Sequence, residues 1–337
     1  MKHLLAICLF SVTGAHANAE IDRASFIGLG ASVLKIEVKR AQGGYALGSG
    51  VVLRPDVVVT NCHVTRDAAE IHVLRGGARW RVESQAVDME HDLCVLRAPG
   101  IKAAAVRLGR SADVKVGQAV TALGYTGGLG IQNSPGDVVA LHRHDGSTVI
   151  QSNNWFTSGA SGGGLFDDEL NLVGILTYRL RGGDAHYFAA PVDWLNTLLD
   201  NKASYGPVQP IAANLLPYWQ KPVALQPNFL RAALLERDSN WTELELLTSH
   251  WTQSDADDAE PWYLHGVALA QLNRLPAARQ ALERSVGIEK AFTEAWFNLG
   301  LVYVRQGQRE LADAARARLV GLKSDLASKL SQAIDKL

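Results

Sequence analysis

What this chain lacks limits what it can be. Its formal net charge is −1, from 33 Lys and Arg against 34 Asp and Glu, so no excess of one sign would attract a nucleic acid or an anionic membrane. After the N-terminal segment no apolar run is long enough to cross a bilayer, which argues against a membrane span. With 47% hydrophobic and 20% charged residues in 337, the composition is that of a globular protein large enough for two domains.

The first residues have the pattern of a secretory signal. A lysine gives the positive start, residues 4–12 are almost all apolar, and small residues precede the predicted cleavage point after Ala17, with Ala19 as the second choice. The alternatives are a buried N-terminal helix or a membrane anchor, but the apolar run is too short to span a bilayer. The pattern predicts a signal peptide over residues 1–17 and a periplasmic or secreted protein.

Two regions of different periodicity follow the signal. Between residues 32 and 191, short β-branched runs alternate with glycine-containing turns, which is typical of an all-β sandwich or pair of barrels. A short helical pattern then closes a first domain over residues 18–200. Five of the eleven prolines fall between positions 207 and 227, which predicts a stiff linker over residues 201–227.

The last region, residues 228–337, is predicted to be all-α and contains an internal repeat. Aromatic, glycine and alanine residues recur 34 positions apart, at Trp262 and Trp296, Tyr263 and Phe297, Gly266 and Gly300, and Ala278 and Ala312. This period resembles tetratricopeptide repeats, in which small residues let two antiparallel helices approach closely. A degenerate unit that contains Ala232, Leu235 and Leu244, and a capping helix over 324–337, would complete the stack. Two units plus helices of another kind is the alternative.

Three segments of the β region together carry the chemistry of acyl transfer. Ser161 lies in the glycine-rich turn 159–163, His63 follows a valine-rich strand, and Asp92 opens another strand. A nucleophile, a general base and a carboxylate that orients the base are what a catalytic serine requires. The amides of Gly159 and Ser161 could stabilise an oxyanion. The alternative is a glycine-rich surface turn with an incidental serine, and His91 and Asp88 are the weaker rivals for the other two roles.

Two cysteines lie beside the predicted base and carboxylate. Cys62 precedes His63, and Cys94 follows Asp92 by two positions. If His63 and Asp92 touch, the two sulfurs come near each other, and in an oxidising compartment they could form one disulfide. Two small buried thiols that act as apolar fillers are an equally good interpretation.

In the order His, Asp, Ser, these segments resemble the chymotrypsin-type serine proteases, and most closely the bacterial branch that includes the HtrA/Deg proteases. The segments 48–52, 60–64, 92–96 and 188–191 carry the resemblance, which covers roughly residues 30–200. It implies two six-stranded β-barrels with the active site between them. It also implies peptide-bond hydrolysis without cofactor or metal, with His63 as base, Asp92 as its orienter and Ser161 as nucleophile.

The resemblance also suggests which residues meet the substrate, a protein or peptide. Trp155, six positions before Ser161, would lie at the base of the specificity pocket, where the absence of an acid argues against a requirement for Lys or Arg. Thr177, Tyr178 and Arg179 would form the edge strand that pairs with the substrate backbone. Two departures from the family stand out. Helical repeats replace the PDZ domain of HtrA proteases, and an alanine precedes Ser161 where digestive proteases have an aspartate that pairs with a freed N-terminus.

The sequence therefore favours an exported serine endopeptidase whose repeats recruit substrates or partners. One alternative is an inactive protease fold that serves as a scaffold and binds proteins through its repeats. A serine esterase of the α/β-hydrolase type is disfavoured, since the residue order Ser-Asp-His and a nucleophile elbow between strand and helix are both missing.

Overall fold

The computed structural model describes residues 23–127, 130–180, 186–200 and 204–336. The predicted signal peptide, residues 1–17, lies outside these ranges. The chain divides into two compact units, Met1–Lys221 and Pro222–Leu337. Among the described helices, none combines the length and apolar character that a membrane crossing would need.

The first half of the first unit is an antiparallel sheet of eight strands. Along the sheet the order is β14-β6-β7-β3-β2-β1-β4-β5. The strands are β1 (Val33–Arg40), β2 (Tyr45–Arg54), β3 (Val57–Thr60), β4 (Ala68–Arg75), β5 (Ala78–Arg81), β6 (Ser84–Asp88), β7 (Leu93–Arg97) and β14 (Gly206–Pro207). Helix α1 (Arg23–Gly30) precedes it, and the one-turn helix α2 (Cys62–Thr65) follows β3.

The second half of this unit is a closed barrel of six strands. Its strands are β8 (Ala119–Thr126), β9 (Gly130–His144), β10 (Ser147–Ser152), β11 (Gly164–Asp167), β12 (Leu172–Leu180) and β13 (His186–Pro191), in the order β10-β13-β12-β11-β8-β9. Helix α3 (Leu195–Asp200) follows the barrel. Each half has its own apolar core, built mainly from valine, leucine and isoleucine side chains.

The predicted fold class, all-β followed by all-α, is confirmed, and one half of the β unit differs in detail. The barrel formed by β8–β13 has six strands, as predicted. The other half is an eight-stranded sheet because β5 extends one edge and β14, which comes from the proline-rich segment, pairs with β6 at the other.

The proline-rich segment is therefore not the spacer that its composition suggests. Residues 204–221, which we call the strap, belong to the first unit. Tyr218 in the strap is 1% exposed, and its backbone N–H donates to the carbonyl of Glu90 at 3.0 Å. Proline prevents helix or central strand here, but the extended chain still binds the sheet through side chains and its remaining amides.

Seven α-helices make up most of the second unit as far as residue 336, where the described part of the chain ends. They are α4 (Asn228–Arg237), α5 (Trp241–Ser254), α6 (Ala259–Gln271), α7 (Leu275–Ile288), α8 (Thr293–Arg305), α9 (Arg309–Gly321) and α10 (Leu326–Ile334). Equivalent residues of the 34-residue repeat behave alike: the indoles of Trp262 and Trp296 each donate to the carbonyl six positions earlier, at 3.1 and 3.0 Å. Ala278 and Ala312 are both 0% exposed. Helix α10 buries Leu330 against α8, as a capping helix should.

Candidate active site

Strand pairing brings His63 and Asp92 to the same edge of the first sheet. Strands β3 and β7 are antiparallel neighbours, with Thr60 opposite Cys94. The chain after β3 and the chain before β7 therefore lie side by side. All four residues of β3 are buried, so the strand anchors the short helix α2 that carries His63.

The Asp92 carboxylate is fully buried and accepts three hydrogen bonds. Its Oδ1 accepts the backbone N–H of His63 at 2.8 Å, and its Oδ2 lies 2.6 Å from His63 Nδ1. The indole N–H of Trp219 donates to the same Oδ2 at 3.2 Å. Burying a carboxylate is unfavourable unless such donors replace water. Asp92 also has a positive φ of 60°, a conformation that Asp tolerates better than most residues.

The weaker rivals, His91 and Asp88, form a pair of their own. Asp88 Oδ2 lies 2.6 Å from Nδ1 of His91, and Asp145 Oδ2 lies 2.8 Å from its Nε2. The His91 ring stacks on Trp194 with centroids 4.1 Å apart. Both ring nitrogens are therefore occupied, so His91 has no free nitrogen with which to act as a base.

The turn that carries Ser161 has a backbone that only glycine fits well. Gly159 and Gly162 have φ values of +98° and +85°. A Cβ on Gly162 would collide with the carbonyl of Ser49, and one on Gly159 with the carbonyl of Tyr125. The glycines thus allow the turn to pack directly against backbone from both halves of the unit.

Two amides of this turn are available to a ligand. Those of Ala160, Gly162 and Gly163 donate to backbone carbonyls. Those of Gly159 and Ser161 donate to no acceptor within the described ranges. These are the two amides that the sequence predicts as the oxyanion hole, where donors must be free to meet developing charge.

Ser49 on β2 holds the turn in place, a role that the sequence analysis missed. Its hydroxyl donates to the carbonyl of Gly159 at 2.7 Å and accepts the N–H of Tyr125 at 2.8 Å. Its own N–H donates to the carbonyl of Ser161 at 2.8 Å. The only sequence signal is the position of Ser49 between two glycines, which marks a close backbone approach without naming the partner.

The Ser161 hydroxyl donates to the carbonyl of Thr177 on β12, at 3.4 Å. Within the described residues no hydrogen bond joins it to His63. The same Thr177 is linked to the His–Asp side of the site, because Asn61 donates to its Oγ1 at 3.2 Å and to the carbonyl of Asp92 at 3.0 Å. Thr177 therefore bridges the nucleophile candidate and the base–carboxylate pair.

The residues predicted to meet the substrate differ in accessibility. Trp155 is 57% exposed and lines a recess beside Ala160 whose volume of about 20 Å³ is enough for about one water molecule but too small for a substrate side chain. Arg179 is exposed, and β12 beyond Leu176 pairs only with β13 among the described strands. That part of β12 is open to an added strand.

The side chain of Tyr178 on β12 is buried. Its ring is 5% exposed and is stacked between Phe188 and Trp219, with centroids 4.7 and 4.8 Å away. Burial, and then the neighbouring Tyr218, raise the pKa of Tyr178. Its side chain therefore supports the site from within, and only its backbone can meet a substrate.

Cys62 and Cys94, for which the sequence left two possibilities open, are joined by a disulfide with Cα atoms 4.9 Å apart. Both are buried, and they pack with Met89 and with Ile211 of the strap. The disulfide closes a loop between residues 32 positions apart. A disulfide that closes a loop of this size typically contributes about 2–4 kcal/mol to the free energy of unfolding.

Trp219 is the second residue that the sequence analysis missed. Besides its hydrogen bond to Asp92, its ring meets that of His63 edge-on, at a centroid distance of 5.7 Å and an angle of 87°. One sequence signal could have indicated that this segment is packed against the fold. Tyr218 and Trp219 are adjacent in a segment otherwise typical of a solvated linker, and linkers seldom carry two large apolar rings together.

Comparison with known proteins finds similarity in both parts of the chain. The trypsin-like peptidase domain profile matches residues 48–175, and the tetratricopeptide repeat profile matches residues 293–325. Residues 48–175 are thus similar to trypsin-like peptidase domains and residues 293–325 to a tetratricopeptide repeat, and the resemblance predicted from the sequence is confirmed in both parts.

Two curated relatives each match about half of this chain. A protein named "Probable periplasmic serine endoprotease DegP-like" from Buchnera aphidicola subsp. Baizongia pistaciae (strain Bp) is 32% identical over 177 residues, 49% of this chain and 38% of that protein. "Protease Do-like 1, chloroplastic" from Arabidopsis thaliana is 34% identical over 176 residues, 48% and 40% of the two chains. The chain spans about two fifths of the length of these relatives.

One solved structure shares the fold over nearly its whole length. The active form of the Rv3671c protease from M. tuberculosis is 23% identical, with a TM-score of 0.50, and the match covers 61% of this chain and 97% of that one. At this identity the similarity is one of fold alone.

Proposed function

We propose that this protein is an exported serine endopeptidase that hydrolyses peptide bonds through an acyl-enzyme on Ser161. The observation that carries the proposal is the buried Asp92 carboxylate, 2.6 Å from Nδ1 of His63. A proton held at Nδ1 leaves Nε2 as the basic nitrogen. The imidazole is 24% exposed, so Nε2 can exchange protons with a bound substrate.

In the proposed mechanism, the Ser161 side chain turns from the Thr177 carbonyl toward His63. As Ser161 Oγ bonds to the substrate carbonyl carbon, its proton passes to His63 Nε2, and the free amides of Gly159 and Ser161 stabilise the oxyanion. The C–N bond then breaks while His63 returns the proton to the departing amine. A water molecule repeats the sequence on the acyl-enzyme, which releases the acid and restores the Ser161 hydroxyl.

Labelling with a fluorophosphonate probe tests this mechanism. We expect the wild type to be modified at Ser161 and Ser161→Ala to be unmodified. Ser158→Ala is the matched control, because Ser158 is an exposed serine immediately before the same turn, and it should label as the wild type does. Equal labelling of wild type and Ser161→Ala, or none of either, would contradict the proposal and favour a binding scaffold.

Export is proposed from the N-terminal pattern, and the Cys62–Cys94 disulfide is compatible with an oxidising compartment. The name of the Buchnera relative places that protein in the periplasm. Mass spectrometry of the N-terminus of the mature protein should find it beginning at residue 18 or, as second choice, at residue 20. An intact N-terminal methionine in protein isolated from its source cells would contradict export by cleavage.

We propose that the repeat unit recruits substrates or partners. A groove of about 860 Å³ between α4 and α5, lined by apolar residues such as Leu246 and Trp251 beside the basic Arg231 and His250, offers a surface of mixed character. In capture experiments with full-length Ser161→Ala as a trap, Leu246→Glu should reduce substrate recovery. Leu311→Glu, on an exposed leucine of α9, is the control. Equal recovery from both variants would argue against this groove.

A further inference from the structure

The strap is bound along the edge of the first sheet at several points. Gly206 and Pro207 pair with β6, and Ile211 donates its N–H to the carbonyl of Arg66 at 2.7 Å. The Arg66 guanidinium in turn donates to the carbonyls of Ala213 and Leu215, at 2.8 and 2.6 Å. The bonds to Arg66 fix the path of the strap only three positions along the chain from His63.

Its far end is fixed on the other side of the same site. Tyr218 donates its N–H to the carbonyl of Glu90, and Lys221 Nζ lies 2.6 Å from both carboxylate oxygens of Glu90. Glu90 is two residues before Asp92. Trp219 thus lies between two residues that are both bonded to Glu90, so the backbone on either side of it is held close to Asp92.

The orientation of the indole is set by a stack of rings. Its plane lies 12° from that of Tyr178, whose own ring is stacked at 8° on Phe188 of β13. The stack directs Nε1 at Asp92 Oδ2, the oxygen that also meets His63 Nδ1. The ring edge faces His63 at the same time.

We propose that Trp219 is a positioning residue that holds the Asp92 carboxylate against His63, so that the strap completes the active site. The inference rests on the proposed function. A buried carboxylate with three fixed donors has one orientation, and this orientation determines which nitrogen of His63 keeps its proton. Without the indole N–H, Oδ2 loses a donor where water cannot easily replace it, and the carboxylate can rotate away from His63.

Trp219→Phe in the full chain tests the inference because it removes the N–H and keeps most of the ring. With an ester substrate, and rates expressed per site titrated by fluorophosphonate, we expect kcat to fall by about ten- to a hundredfold, the range for a hydrogen bond to a charged group. KM should stay within about twofold. Titration removes any contribution from unfolded protein. A kcat within about twofold of the wild type would overturn the inference.

Trp194→Phe is the matched control. The Trp194 indole also donates within the first unit, to the carbonyl of Asp145 at 3.1 Å, and its ring meets His91 rather than His63. We expect its kcat per titrated site to remain near that of the wild type. An equal loss in both variants would show a general effect of removing a buried indole and would overturn a specific role for Trp219.

A double-mutant cycle with Asp92→Asn separates positioning from other effects. If Trp219 acts through the carboxylate, Trp219→Phe should cost nothing further in the Asp92→Asn background, and it can even raise the rate where the amide presents its NH₂ to the indole. The same fold-loss in both backgrounds would overturn the inference.

The hydrogen bond can also be tested without activity. In ¹H–¹⁵N spectra of full-length Ser161→Ala, one indole signal should move on adding Asp92→Asn and stay in place on adding Asp88→Asn. That signal should be the one missing from Trp219→Phe. If no indole signal moves on adding Asp92→Asn, the inference fails. This outcome does not depend on whether Trp219→Phe folds. If the signal responds but the wild type has no Ser161-dependent activity, the proposed function fails instead.

Discussion

The hydroxyl of Ser49 connects the two halves of the first unit at the nucleophile turn. It donates to the carbonyl of Gly159 and accepts from the amide of Tyr125, while the backbone N–H of Ser49 donates to the carbonyl of Ser161. Carbonyls on both sides of Ala160 are therefore fixed to β2. These two peptide groups flank the one that carries the Ser161 amide, so holding them restrains the direction in which that amide points.

We predict that Ser49→Ala lowers kcat by about five- to thirtyfold, because the two hydrogen bonds of the hydroxyl, each worth about 1 kcal/mol, are lost and the turn loosens. KM should change little. Ser111→Ala is the control, since Ser111 is a buried serine of the same unit whose hydroxyl bonds to Ser147 at 3.2 Å. Initial rates per titrated site check the prediction, and an unchanged Ser49→Ala rate would contradict it.

His91, together with Asp88 and Asp145, forms a second histidine–carboxylate cluster, and this one has a structural role. Burial lowers its pKa, but the hydrogen bonds and charges of Asp88 and Asp145 outweigh burial, so the pKa of His91 is raised above its usual 6.5. Asp145 lies in the turn between β9 and β10, whereas Asp88 ends β6. The protonated ring therefore bridges the sheet and the barrel.

A raised pKa in the folded state makes stability depend on pH in a defined direction. The contribution of His91 is fully present below its unfolded pKa, near 6.5, and is lost as the pH rises through the higher folded pKa. We expect His91→Gln to lower the free energy of unfolding by about 1 kcal/mol at pH 5.5, since Asp145 is largely exposed. The difference should shrink by pH 9. Urea unfolding at both values checks this, and a gap that widens with pH would contradict it.

Residues of the candidate site can be predicted from the sequence where a local pattern marks them, but not where only the tertiary path of the chain brings them to the site. His63 and Asp92 were predictable because each adjoins a buried valine- or leucine-rich strand, and the two strands pair. Ser161 was predictable from its glycines. Trp219 was not, since it lies 127 positions from Asp92 in a segment without periodicity, where composition favours a linker. Its partner is chosen by the tertiary path of the strap, which no local propensity encodes.

In the repeat unit, helix packing depends on single glycines. A Cβ on Gly266 of α6 would lie 2.5 Å from Leu282 Cγ and 3.2 Å from the carbonyl of Ala278, both on α7. Gly300, its repeat equivalent in α8, approaches Leu330 of α10 instead. The period in the sequence therefore predicts a small residue at each position, while the helix that fills the space differs.

We predict that Gly266→Ala destabilises α6 and α7 by about 1–3 kcal/mol, the usual cost of overpacking. Gly287→Ala is the matched control, because Gly287 in α7 has nothing within 4 Å of an added Cβ. That variant should gain up to about 1 kcal/mol from helix propensity. Hydrogen exchange of the α6 and α7 amides measures both. Changes of the same sign in both variants would contradict the packing argument.

Across the whole molecule, the border between the two units lies after the strap, not before it. The first unit extends to Lys221, so it includes Ile211, which packs on the disulfide, and Tyr218, which is almost fully buried. Burying one such aromatic ring stabilises the fold by about 2–3 kcal/mol. A protease domain defined only by the two β halves, ending near Asp200, would lack these contacts and the indole at Asp92.

This border predicts different outcomes for two truncations. A chain that ends at Lys221 should fold, and its fluorophosphonate acylation rate should be within about threefold of the full chain, because every described contact of Asp92 and His63 is retained. A chain that ends at Asp200 should lose stability, and any folded fraction should be acylated at least about tenfold more slowly, like Trp219→Phe. Circular dichroism gives the folded fraction, and intact-mass spectrometry gives the acylation rate.

Two outcomes would contradict this prediction. Equal acylation of both chains would mean that the strap is dispensable. Failure of only the longer chain to fold would mean that the catalytic unit needs the repeats.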